Sequence, residues 1–133
     1  MPVASPGDTA TASIEVTEQT IDEYADLVGD HNPIHLDPDY AQETMFGGRV
    51  AHGMLSAGVV SAALASLPGD VVYLAQDLRF EAPVRPGTTV EATVTVAALE
   101  DDDRLTVETS ATAGGETVVT GTATILSLEH DEE

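Results

Sequence analysis

The sequence predicts an α+β domain in which one antiparallel sheet curls around a single buried helix. Three observations predict it. Residues 50–67 form a nearly uncharged run rich in Ala, Val, Leu and small side chains, and a helix apolar all round is usually fully buried. The second half then reads as strand after strand, rich in Val and Thr, with clean alternation at Val90, Ala92, Val94 and Val96. Hairpin signals separate these strands: Pro86-Gly87, the acidic turn Asp101-Asp102-Asp103 and Gly114-Gly115. A chain of 133 residues is long enough for one such core and too short for two.

In chain order, residues 1–10 carry Pro, Gly and Ser without periodicity and read as a flexible N-terminal segment. Residues 11–16 alternate and predict a first strand, opening a single domain expected over 11–128. Thr20-Ile21-Asp22-Glu23 has capping-box form. Ile21, Tyr24, Ala25, Leu27 and Val28 then recur at helical spacing up to Gly29. Asp37-Pro38 supplies an N-cap and an N1 proline for a short helix over 37–44. The apolar run over 50–67 contains His52, Gly53, Ser56, Gly58 and Ser61 and falls short of the ~20 apolar residues of a membrane span. Strands follow over 71–82, 88–98, 104–113 and 116–128, and residues 129–133 form an acidic tail. A sheet of about five strands has exposed edges, which favours a homodimer.

Charge narrows the partners. There are 24 Asp and Glu against four Arg (Arg49, Arg79, Arg85, Arg104) and no Lys, for a formal net charge of −20. Nucleic acid, whose phosphates attract cations, is excluded as a partner on this ground. The acids are spread as a solvated skin, and a domain so charged repels itself at low salt. At ~1 M salt the screening length falls to roughly 3 Å, so a halophilic cytoplasm is the expected home. The absence of Cys removes disulfides, thiolate chemistry and cysteine zinc sites. No Arg-rich apolar leader precedes the domain, so secretion is not expected.

The chemistry-bearing residues cluster before and at the start of the apolar helix. His31 and His35 stand at i and i+4, but Pro33 between them breaks the helix that would make them a metal pair. No metal site is therefore expected from His31, His35, Asp37 or Asp39. Instead, Asp30 and His35 flank a proline-stiffened turn, where a carboxylate and an imidazole on one side of a pocket can grip a water molecule and move its proton. Spacing alone leaves the alternative open that both are ordinary turn residues. Gly53, at the helix start, offers a free backbone N–H suited to a carbonyl oxygen gaining charge, or else merely permits close packing. His52 reads as structural, bonding the backbone around Arg49. His31 reads as exposed beside the turn, and His130 as a solvated tail residue.

Asp30-His31-Asn32-Pro33-Ile34-His35-Leu36-Asp37, together with Phe46-Gly47-Gly48-Arg49-Val50-Ala51-His52-Gly53-Met54, resembles the hydratase motif of the MaoC-like (R)-specific enoyl-CoA hydratases. The resemblance runs from about residue 11 to 128 and includes Tyr73-Leu74-Ala75-Gln76-Asp77-Leu78-Arg79-Phe80, Pro83-Val84 and Pro86-Gly87. It implies a hot-dog fold, commonly paired into a dimer, and an enzyme that adds water to a trans-2-enoyl-CoA to give the (R)-3-hydroxyacyl-CoA. By position, Asp30 and His35 match the family's catalytic pair, Gly53 the amide that binds the thioester carbonyl, and Asn32 a supporting residue. Ser61 and Leu64 fall where the family lines its acyl pocket; core packing explains them equally well. Coenzyme A is anionic like the chain, so Arg49, Arg79 or Arg85 is expected near its path. It enters as part of the substrate, and no other cofactor is expected, since no P-loop or Rossmann fingerprint occurs. The rival readings are a hot-dog acyl-CoA thioesterase and a non-catalytic acyl-CoA-binding hot-dog protein.

Overall fold

The structure is a computed structural model and describes residues 2–129, so His130 and most of the expected tail lie outside the described residues. The elements in order are β1 (Thr9–Val16), α1 (Glu18–Val28), α2 (Pro33–Leu36), α3 (Pro38–Gln42), α4 (Gly53–Ala65), β2 (Asp70–Phe80), β3 (Thr88–Leu99), β4 (Leu105–Ala113) and β5 (Glu116–Leu128). The strands form one antiparallel sheet in the order β1-β3-β4-β5-β2, and α4 packs against β1, β2, β3 and β4. This is the curved sheet around a central helix that the sequence predicts, a hot-dog fold.

The alternation read in β3 has the expected consequence. Val90, Ala92, Val94 and Val96 are all buried, while Glu91, Thr93 and Ala97 face out. On the facing side of the core, α4 buries Leu55, Val59, Val60, Ala63 and Leu64. The β4–β5 hairpin turns on Gly114 and Gly115, whose φ values of 59° and 84° suit a two-residue turn with both central residues left-handed. The acidic turn is a short 3-10 segment over Asp101–Asp103.

Several boundaries differ from the sequence reading, each for a local physical reason. The capping box of α1 is Thr17 with Thr20, not Thr20 with Glu23. The Thr17 hydroxyl accepts from the Thr20 N–H at 3.0 Å and the Thr20 hydroxyl accepts from the Thr17 N–H at 3.1 Å, so the helix starts at Glu18. The turn after Asn32 closes into α2, because a proline at the first helical position leaves no donor wasted. α4 begins only at Gly53, since the Val50 and Ala51 N–H groups donate to the carbonyls of Ile34 and Val84 and hold that stretch extended. The N-terminal segment is tied down rather than loose. The Val3 N–H donates to the Ser127 carbonyl at 3.1 Å, the Ala4 N–H to the Ser127 hydroxyl at 2.9 Å, and Ala4 is buried. Among the described residues, no helix is long and apolar enough to cross a membrane.

Candidate active site

The site forms where the loop and short helix after α1 meet the extended residues that lead into α4. α1 ends at Gly29, and Asp30 follows at once. The Asp30 carboxylate accepts from the Asn32 N–H at 3.2 Å, and the Asn32 carbonyl accepts from the His35 N–H at 3.0 Å. Asn32 thus supports the site through its main chain. Pro33 begins the single helical turn that swings the His35 ring inward, where it is 8 % exposed.

The His35 ring is fixed by one bond: Nδ1 lies 2.8 Å from the Val50 carbonyl oxygen. A carbonyl only accepts, so Nδ1 carries the hydrogen and Nε2 of the neutral ring is left with a lone pair. The ligating atoms of Asp30, His35 and His52 all lie within 4.8 Å of one another. Two hydrogen bonds of ~2.8 Å meeting on one water at the tetrahedral angle span about 4.6 Å. The Asp30 and His35 side chains are therefore close enough to hold one water between them. With His52 they form a group of three possible metal ligands among the described residues. The His35 and His52 rings are stacked, with centroids 3.8 Å apart and planes 26° from parallel, so an ion in the plane of one imidazole stands well out of the plane of the other.

His52 corrects its expected contact. It does not bond the backbone around Arg49; its Nε2 donates to the Asp30 carbonyl at 2.9 Å. Burial holds its pKa below the usual histidine range, opposed by that backbone bond. Its Nδ1 is buried without a hydrogen-bond partner.

Gly53 opens α4, so its N–H has no partner within the helix. A side chain here would collide with a neighbour, since a Cβ on Gly53 would stand 2.8 Å from the Phe80 ring. Beside these groups lies a cavity of about 550 Å³. Its wall holds His35, His52 and Gly53, with Phe46, Phe80 and Val119 among the apolar residues.

Other expected site residues stand elsewhere. Ser61 and Leu64 do not line this cavity: the wall takes the first turn of α4, through Ser56, whereas Leu64 lies two turns further on and is 1 % exposed in the core. Arg49 is committed to bonds within the fold. Its Nε donates to the His35 carbonyl at 2.6 Å and its two terminal nitrogens to Glu18 at 3.0 Å and Asp22 at 2.6 Å. This ties α1 to the His35 segment. Arg85 and Arg79 are exposed, and the Arg85 guanidinium donates to the carbonyl of Phe46 at the cavity wall. His31 is exposed and bonded to Asp26 at 3.1 Å.

The model of the MaoC like domain matches residues 3–119. The chain belongs to the MaoC-like domain family. It is 46% identical over 123 residues to the (R)-specific enoyl-CoA hydratase of Rhodospirillum rubrum, covering 90% of this chain and 85% of that one. It is 40% identical over 121 residues to the 3-hydroxybutyryl-CoA dehydratase of Methylorubrum extorquens, covering 89% of this chain and 77% of that one. Among solved structures of MaoC-like relatives, the (R)-hydratase of Aeromonas caviae involved in PHA biosynthesis superposes with a TM-score of 0.85. It is 36% identical, with 92% of this chain and 96% of that chain covered.

Proposed function

We propose that the protein is an (R)-specific enoyl-CoA hydratase, a hydro-lyase that adds water to a trans-2-enoyl-CoA. The observation that carries this reading is the approach of Asp30 to His35 within 4.8 Å, beside a cavity lined by His35 and Gly53. The names of the relatives support it.

In this mechanism the Asp30 carboxylate is the principal base on the water and His35 Nε2 is its partner in positioning and proton transfer. The water oxygen bonds to C3, and the C2–C3 π pair moves toward the thioester carbonyl. The Gly53 N–H donates to the oxygen as it gains negative charge. C2 then takes the proton that the Asp30–His35 pair removed from the water, which completes the addition. The acyl chain occupies the cavity, and Arg85, which bonds Phe46 of the cavity wall, and the exposed Arg79 are the cations this reading assigns to the phosphates of coenzyme A.

The working unit is a homodimer formed through the β2 edge of the sheet. β2 has a partner on one side only, and Val72, Tyr73, Leu74 and Phe80 on it are each 38% exposed or more. The charge of −20 suits concentrated salt inside a halophile.

Crotonyl-CoA in 2 M KCl tests the reaction. Loss of the conjugated absorbance without release of thiol is the expected result. Thiol release identifies a thioesterase and overturns the hydratase reading. No change in either signal with acyl chains of four to twelve carbons leaves only an acyl-CoA-binding protein.

A further inference from the structure

We infer that His52 is a positioning residue that couples the water-holding half of the site to the carbonyl-binding half. The inference rests on the hydratase reading and goes beyond it, because that mechanism gives His52 no part. Its main chain runs directly into Gly53, while its imidazole reaches across 22 residues of sequence to donate from Nε2 to the Asp30 carbonyl at 2.9 Å. One residue therefore links the amide that faces the carbonyl to the loop that holds the water. On one side its ring lies against His35 with centroids 3.8 Å apart, and on another Tyr24 of α1 stands at 4.8 Å.

Packing alone does not account for an imidazole here. The residue is 3 % exposed and its Nδ1 has no partner, and a buried polar atom left unpaired is costly. An apolar ring of the same size fills the space without that cost. What only a donor at the Nε2 position supplies is the bond to Asp30. Because the acceptor is a carbonyl, Nε2 keeps the hydrogen, and burial of the ring favours its neutral form. A neutral ring stacked on His35 leaves His35 free to change charge during turnover, which a cation at that distance opposes. The geometry at stake is small: displacing reacting groups by ~1 Å costs about 100-fold in rate.

The test compares wild type, Asp30→Asn, His52→Leu and His52→Gln on crotonyl-CoA in 2 M KCl, with thermal melts of each and nitrogen-15 NMR of the imidazoles. His52→Leu is expected to lower kcat about 100-fold with KM changed less than threefold. His52→Gln, whose amide nitrogen sits where Nε2 sat, should recover at least tenfold of that loss. In wild type, NMR should show His52 protonated on Nε2 and His35 on Nδ1. If His52→Leu does not fold, His52→Asn, whose shorter amide falls short of Asp30, replaces it. An unchanged kcat, equal losses in the Leu and Gln variants, or a His52 protonated on Nδ1 overturns the inference. Failure of the hydratase reading looks different: wild type and Asp30→Asn are then equally inactive, and the NMR result alone decides whether His52 holds the Asp30 loop.

Discussion

The two segments that meet at the site are built on opposite plans. Residues 30–36 supply side chains, the Asp30 carboxylate and the His35 imidazole, and beyond two short local bonds their main chain is held from outside, by the Val50 N–H and the side chains of Arg49 and His52. Residues 49–53 present main chain instead, the Val50 carbonyl and the Gly53 N–H, while Arg49 and His52 turn their side chains back to grip the first segment. The difference teaches where precision comes from. In the proposed mechanism a loop that carries the acid–base side chains is placed by a neighbour that offers main chain, and that neighbour is anchored by α4 and by the bond from Ala51 to Val84.

Breaking the first segment should therefore remove chemistry, and breaking the second should degrade it. Asp30→Asn or His35→Ala should each lower kcat about 10²–10⁴-fold, checked by steady-state assay. In calorimetry the melting temperature should barely move for Asp30→Asn and fall for His35→Ala, which removes a buried ring and its bond to the Val50 carbonyl. Near-normal turnover in either variant overturns the assignment. Gly53→Ala should lower kcat by roughly 10²-fold, because the new Cβ meets the Phe80 ring at 2.8 Å and pushes the helix start out of place. Adding Phe80→Ala should restore part of the loss; no restoration means the clash is not the cause.

Arg49→Met should act on the scaffold first. It removes three donated bonds and leaves the His35 carbonyl without its guanidinium partner, so stability should fall by about 1–3 kcal/mol in denaturant titration. A smaller effect follows from His52. Burial lowers its pKa from 6.5, so as pH drops below 6.5 the unfolded chain takes up this proton before the folded protein does. Stability therefore decreases with falling pH across that window. Asp30, His35 and His31 face the same ring, so the His52 share is read as the difference from His52→Gln, whose profile should be flatter.

Much of the fold was legible in the sequence because period-2 and all-apolar patterns report burial directly. β3 and β5 stand where the alternation and the turn glycines put them. The polar bonds that set element ends were harder to read. Thr17, and not Thr20, caps α1, and Val50 and Ala51 stay out of α4 because Ile34 and Val84 accept their N–H groups. Asp30, His35 and Gly53 were legible as a motif, although their spacing alone did not separate a site from an ordinary turn. The part played by Arg49 had no local signal. Arginine on an acidic chain invites a ligand-binding reading, and only the approach of Glu18 and Asp22 from α1 shows that its charge is spent inside the fold. Ser61 and Leu64 suffered similarly, since helical phase does not tell how far along a helix the cavity extends.

By itself, the sequence determined the α+β class, the buried helix, the strand pattern and the chemical identities that converge on the site, because propensity, periodicity and turn chemistry act between near neighbours. The tertiary structure decided the distances: His35 on Val50, His52 on Asp30 and Arg49 on His35 join residues 15, 22 and 14 apart. Those bonds depend on where the sheet seats α4 and where α1 delivers the loop, a matter of packing among distant segments that no local pattern encodes.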